Sequence, residues 1–144
     1  MTAIAFHFNA PGRLVYACHL LRKAASSGAR VVVTGGSDTL EQLDVALWTF
    51  SVIDFVPHCR LESEPRVLAA SPVILAMSTQ SAPHRQVLLN LGNQIPSGFE
   101  RFERVIEVVT QEEEDRQLAR SRWKHYANLG YAITRHDLTL KASQ

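Results

Sequence analysis

Apolar residues in this chain recur at two periods, and the two periods take turns. Thr2–Phe8 alternates apolar with small or polar residues, which predicts a strand. Asn9–Gly12 predicts a turn, and Pro11 opens a helix whose apolar positions Leu14, Val15, Cys18, Leu21 and Ala25 fall at helical spacing. Ser26-Ser27-Gly28 closes that helix, with Gly28 suited to a left-handed position after its last turn. Arg30–Thr34 is β-branched with no polar alternation, the pattern of a strand covered on both faces of a parallel sheet. Gly35-Gly36-Ser37 turns the chain again. Asp38 followed by Glu41 fits a capping box, and Leu40, Leu43 and Leu47 predict the buried stripe of a second helix.

From Thr49 to Pro72 no strong period is visible, apart from a short apolar piece at Phe55-Val56. Pro72–Met77 then predicts a buried strand, Ser78–Arg85 a polar loop and Gln86–Leu91 another strand. Phe99–Phe102 predicts a helical turn and Arg104–Val109 a strand. The longest helix is predicted from about Gln111 to Asn128, closed by Gly130, followed by a short strand at Tyr131–Thr134 and a loose tail. Strand and helix alternating in this way predict an α/β fold. The expected architecture is a three-layer, Rossmann-like sandwich with a mostly parallel central sheet and helices on both faces. The 144 residues fit a single domain, 1–144.

Composition narrows the function more than the fold. Hydrophobic residues make up 46% and charged residues 20%, ordinary globular usage that excludes disorder and fibrous classes. No apolar run is long enough to span a membrane, and Met1–Ile4 has no signal-type opening, so a cytoplasmic location is expected. The formal net charge of +1 is not the basic balance of an autonomous nucleic-acid binder. Cys18 and Cys59 are far apart with no CxxC, and are expected to be reduced thiols.

Catalytic and cofactor motifs are missing. The Gly35-Gly36 turn lies between a strand and a helix, where phosphate is often bound, yet neither G-x-G-x-x-G nor the P-loop pattern is present. A tight turn explains the two glycines; a small nucleotide-binding enzyme using them is the alternative function. His7, His19, His58, His84, His125 and His136 are scattered singly, without metal-ligand spacing. No hydrolase elbow occurs, and Glu62 with Glu64 does not make an acid/base pair. Neither a catalytic site, a metal nor a cofactor is expected.

Two features stand out. The last long helix opens with Glu112-Glu113-Glu114-Asp115 and carries Arg116, Arg120, Arg122 and Lys124. Acid first and base later suits the helix dipole. Arg116, Arg120 and Lys124 also stand at i, i+4 and i+8, a cationic stripe whose later members have no acid four residues before them. Trp123 flanks that stripe, and the Leu118/Leu129 side is expected to face the core. A cationic stripe beside an aromatic can receive a peptide carrying carboxylates and an apolar end; it can also serve single-stranded DNA, with Trp123 as a stacking platform. The second feature is the apolar run Leu47–His58, which holds Trp48, Phe50 and Phe55 outside strong periodicity. It is either core filler or a partner patch.

Together these features resemble the chi subunit of bacterial DNA polymerase III holoenzyme. The resemblance is carried by Leu43-Asp-x-Ala46-Leu47-Trp48 followed by Phe55-Val-Pro-His58, and by Leu118-Ala-Arg-Ser-Arg-Trp-Lys-His-Tyr126 with Gly130-Tyr131, over essentially the whole chain. It implies an accessory subunit without catalytic activity, joined to the clamp loader through the psi subunit. It also implies a second surface that holds the acidic C-terminal tail of the single-stranded-DNA-binding protein. Arg120, Trp123, Lys124 and Val109 match family positions at the tail pocket, and Arg116 a nearby basic one. Trp48 and Phe55 match aromatics of the psi-facing surface. DNA is then contacted only indirectly, and the chain is expected as a monomer alone or a 1:1 heterodimer with psi. The chain departs from the family pattern at Trp123, more often tyrosine, and at Ala127, where a further basic residue is common.

Overall fold

The computed structural model describes residues 2–49, 57–60, 63, 67, 71–80 and 82–138. Phe55, Glu62, Glu64 and the tail from 139 lie outside them. The first strand, β1, runs over Ala3–Ala10, and helix α1 over Arg13–Ser26. Strand β2 (Val31–Thr34) leads into α2 (Ser37–Thr49), so Asp38 sits inside the first turn of that helix, where its charge complements the dipole. Strands β3 (His58–Arg60), β4 (Val73–Leu75) and β5 (Val87–Asn90) follow. A 3₁₀ turn at Phe99–Arg101 precedes β6 (Arg104–Thr110), the last long helix α3 (Glu113–Asn128) and β7 (Ile133–Asp137).

The strands form one sheet in the order β3-β4-β2-β5-β6-β1-β7, and every neighbouring pair is parallel. The expected mostly parallel sheet is therefore parallel throughout. Its inner strands are apolar on both faces, because both are covered. Val31, Val33, Leu75, Leu89 and Val108 pack with Cys18, Leu21, Leu40, Leu43 and Leu47 of α1 and α2. On the other face Ile4, Phe6, Val32, Leu88 and Val105 pack with Phe99, Ala119 and Tyr126. Helices thus cover both faces. Gly28 and Gly130 close α1 and α3 with φ of 85° and 86°, a region open mainly to glycine.

Asp38 lies within the first turn of α2 and does not cap it, so the expected capping box is not formed, and four further expectations need correction. Val15 is exposed, and Ala17 joins Cys18 and Leu21 on the buried stripe of α1. The segment expected to be irregular contains β3, whose three residues are too few to show a period. The last strand starts two residues later than expected and is mostly polar, because β7 is an edge with one side open to water. Leu118 and Leu129 are exposed, and the buried face of α3 is Asp115, Ala119, Arg122 and Tyr126.

Candidate functional site

At the C-terminal ends of β1 and β6 lies a cleft of about 470 Å³. It is closed on one side by α3 and on the other by β7. Alternation along β1 turns Phe6 and Phe8 toward α3, and Val109 at the end of β6 stands on the same face. The register of β1 against β6 shifts between His7 and Ala10. Asn9 takes a left-handed φ of 63° there and lines the cleft as well. Its Nδ2 donates to Asp137 Oδ1 at 3.0 Å, tying the end of β1 to β7.

Helix α3 brings Arg116, Ala119, Arg120, Trp123 and Lys124 to the cleft. Its start is fixed by Asp115. The backbone N–H of Thr110 donates to Asp115 Oδ2 at 2.7 Å, and Arg13 reaches Asp115 Oδ1 at 2.6 Å. That anchor fixes the start of the helix whose Arg116 and Arg120 line the cleft together with Val109. Trp123 is half-buried, with its ring centroid 5.0 Å from that of Phe6. All five residues expected at one pocket, Val109, Arg116, Arg120, Trp123 and Lys124, therefore line a single cleft. Arg120 has an acidic partner after all: its Nη1 stands 3.6 Å from Glu113 Oε1, two turns back, and both side chains are largely exposed. Arg116 and Lys124 make no ion pair among the described residues.

Behind the cleft, α3 is pinned to the sheet by a buried polar cluster. Glu107 is fully buried in β6, between Val105 and Val109. Its carboxylate accepts from Arg122 Nε at 3.0 Å, from Tyr126 Oη at 2.7 Å and from Asn90 Nδ2 at 2.9 and 3.0 Å. Burial pushes the Glu107 carboxyl above its ordinary range, and Arg122, Asn90 and Tyr126 pull it back. Burial and the neighbouring Glu107 charge together raise the Tyr126 hydroxyl. Arg122 is thus a core residue, spent on Glu107 and on the Asn93 carbonyl at 3.0 Å rather than on the surface.

The second expected surface lies beyond the other end of the sheet. Trp48, on the last turn of α2, is 63% exposed, as is Val45 one turn earlier at 60%. The Trp48 ring meets His58 edge-on at 5.5 Å. His58 is held by Asp44, with Nε2 to Oδ1 at 2.8 Å. Asp44 and His58 were legible only as motif letters; here they form the seat of Trp48. Trp48 and the cleft are not brought together: α2 packs on the β3 edge, and the cleft sits against the β7 edge.

Comparison with known proteins decides the family. The family described as DNA polymerase III chi subunit, HolC, matches residues 1–134. The chain belongs to the DNA polymerase III chi-subunit family. It is similar to the DNA polymerase III subunit chi of Pseudomonas aeruginosa, 32% identical over 143 residues, covering 96% of this chain and 98% of the relative. It is 30% identical to that of Escherichia coli over 118 residues, covering 81% and 79%. The Haemophilus influenzae subunit is 25% identical over 123 residues, 85% of each chain. A chi-family chain is an accessory subunit of replication.

Beside the Gly35-Gly36 turn this chi-family chain has a smaller cleft of about 310 Å³. It is lined by Gly36, Arg13, Glu112, Glu114 and Asp115 among others. A phosphate there would face three carboxylates, and the one cation is already committed to Asp115. Neither glycine has a left-handed φ, so the turn asks for no special backbone. Charge and geometry both favour the tight-turn reading over nucleotide binding. No group of three metal-ligating side chains occurs among the described residues, and none of their helices is long and apolar enough to cross a membrane. Sequence reasoning missed Phe6, Phe8 and Arg135 as cleft residues. Phe6 and Phe8 come from β1, far from α3 in sequence, and Arg135 from the mostly polar edge strand that follows α3; the parallel pairing of β1 with β7 brings the three together.

Proposed function

We propose that the chain is a non-catalytic bridge at the replication fork, built as one chi-like domain. The cleft takes the acidic C-terminal tail of the single-stranded-DNA-binding protein, and the Trp48 surface takes the psi subunit of the clamp loader. The observation that carries this reading is the cleft itself. Three cations on α3 flank an apolar floor of Phe6, Phe8, Val109 and Trp123. Carboxylates suit the first and a terminal aromatic side chain the second. DNA is then reached through the partner, in keeping with a net charge of +1. The setting is cytoplasmic, and the chain acts alone or as a 1:1 heterodimer with psi.

The test is an anisotropy titration with a labelled peptide of acidic residues ending in Ile-Pro-Phe. Amidating its C-terminus, or introducing Lys124→Ala or Arg120→Ala, should each weaken binding about tenfold, the equivalent of one charge-assisted hydrogen bond at a partly exposed site. Raising salt should weaken it further, since exposed charges are screened beyond about 10 Å at 0.1 M. Binding that ignores all of these changes sinks the reading. Several tails on one partner assembly would add avidity.

For the psi surface, Trp48→Ala is the informative change. Its side chain is largely exposed, so stability should move by about 0.5 kcal/mol or less. Affinity for psi, measured by calorimetry, should fall by about 2 kcal/mol, as for an aromatic anchor. Unchanged affinity would remove Trp48 from that surface.

A further inference from the structure

We infer that Arg135 is a recognition residue of the same cleft, reading the ligand's terminal carboxylate from the β7 side, opposite the cations of α3. This rests on the tail-binding reading above. Arg135 is exposed on β7, in register with Phe6 of β1. Its guanidinium carbon lies 4.8 Å from the ring centroid of Phe8 and 6.0 Å from that of Trp123. Those rings belong to the apolar floor of the cleft. A guanidinium lying over an aromatic face keeps its in-plane N–H donors free, and the rings hold it in orientation. Among the described residues Arg135 has no ion-pair partner, whereas Arg120 is shared with Glu113 at 3.6 Å.

The placement suggests a division of labour. Arg116, Arg120 and Lys124 stand one turn apart along α3, roughly 6 Å each, which suits successive acidic side chains of an extended peptide. Arg135 instead stands over the rings that receive the apolar side chain. When that side chain belongs to the last residue of a chain, the free carboxylate is only two bonds from its Cβ. It therefore emerges beside the slot, within reach of the cation above it. The ligand class that satisfies both walls is a peptide with acidic residues followed by an apolar residue bearing a free C-terminus.

The experiment is a two-by-two titration: the full chain and its Arg135→Gln variant, each with the acid-ended and the amidated peptide. Lys124→Ala serves as the control. Arg135→Gln should weaken the acid-ended peptide about tenfold and leave the amidated peptide nearly unchanged, so that the two losses do not add. The thermal midpoint should stay the same, since the side chain is exposed. Full affinity in Arg135→Gln, or equal losses with both peptides, would overturn the assignment while Lys124→Ala still reports on the cleft. If the parent binds neither peptide, the tail-binding reading itself fails and takes this assignment with it.

Discussion

Arg122→Met should lower folding stability by about 3–5 kcal/mol at neutral pH, because it strips a buried carboxylate of its counter-charge. Glu107 has no route to water, and Arg122 donates to it at 3.0 Å. Methionine fills the space of the guanidinium stem without supplying a donor. The loss should also depend on pH in a defined direction. Burial already holds the Glu107 carboxyl above the ordinary value of 4.5, with Arg122 foremost among the groups opposing that rise. A carboxyl raised on folding holds its proton more tightly in the folded chain than in the unfolded one. Its contribution is complete below about 4.5 and is lost as pH climbs through the folded value. Without Arg122 that folded value rises further. The gap between parent and variant should therefore widen as pH rises above about 4.5. Urea unfolding at several pH values reads this directly. The double variant Arg122→Met/Glu107→Gln should recover most of the loss, because no charge is then buried. A gap independent of pH would show that packing, not the bare carboxylate, sets the cost.

Trp123→Ala should reduce affinity for the acidic tail peptide by about 2 kcal/mol or more, roughly 30-fold. The ring packs on Phe6 at 5.0 Å and forms one wall of the cleft, so its loss both removes contact area and lets water onto the apolar floor. Trp123→Phe keeps an aromatic wall and should keep most of the affinity. The alanine variant will also lose stability, since the residue is half-buried, so unfolding and binding need to be measured on the same preparations. A folded alanine variant with parental affinity would move the apolar anchor elsewhere.

Much of this architecture was legible because buried parallel strands leave a strong mark. Arg30–Thr34 could be read as covered on both faces, and Pro72–Met77 as buried, from their apolar runs alone, and both belong to the interior of the sheet. The edges were harder. His58–Arg60 is short, and Ile133–Asp137 is mostly polar, so neither gives the signal of an interior strand. Helix spacing sets Arg122 off the cationic stripe but does not by itself say that it is buried. Its partner was nevertheless visible: Glu107 is an acid inside the apolar run Val105–Val109, and such a residue needs a buried donor. The cationic wall of the cleft was readable from i, i+4 and i+8 on one helix. The floor was not, because Phe6 and Phe8 approach Trp123 only through the sheet order, which a single sequence does not disclose.

The order of the strands also fixes a length. Six strand spacings separate β3, beside Trp48, from β7, beside the cleft, which amounts to roughly 30 Å. A continuous hydrogen-bonded sheet does not stretch, so under the proposed function the chain would be a stiff spacer with a different docking chemistry at each end. Two guests would then occupy it together without touching. Whatever holds the Trp48 end then carries the cleft along with it, and a flexible tail needs to reach only the far side of this spacer to be captured.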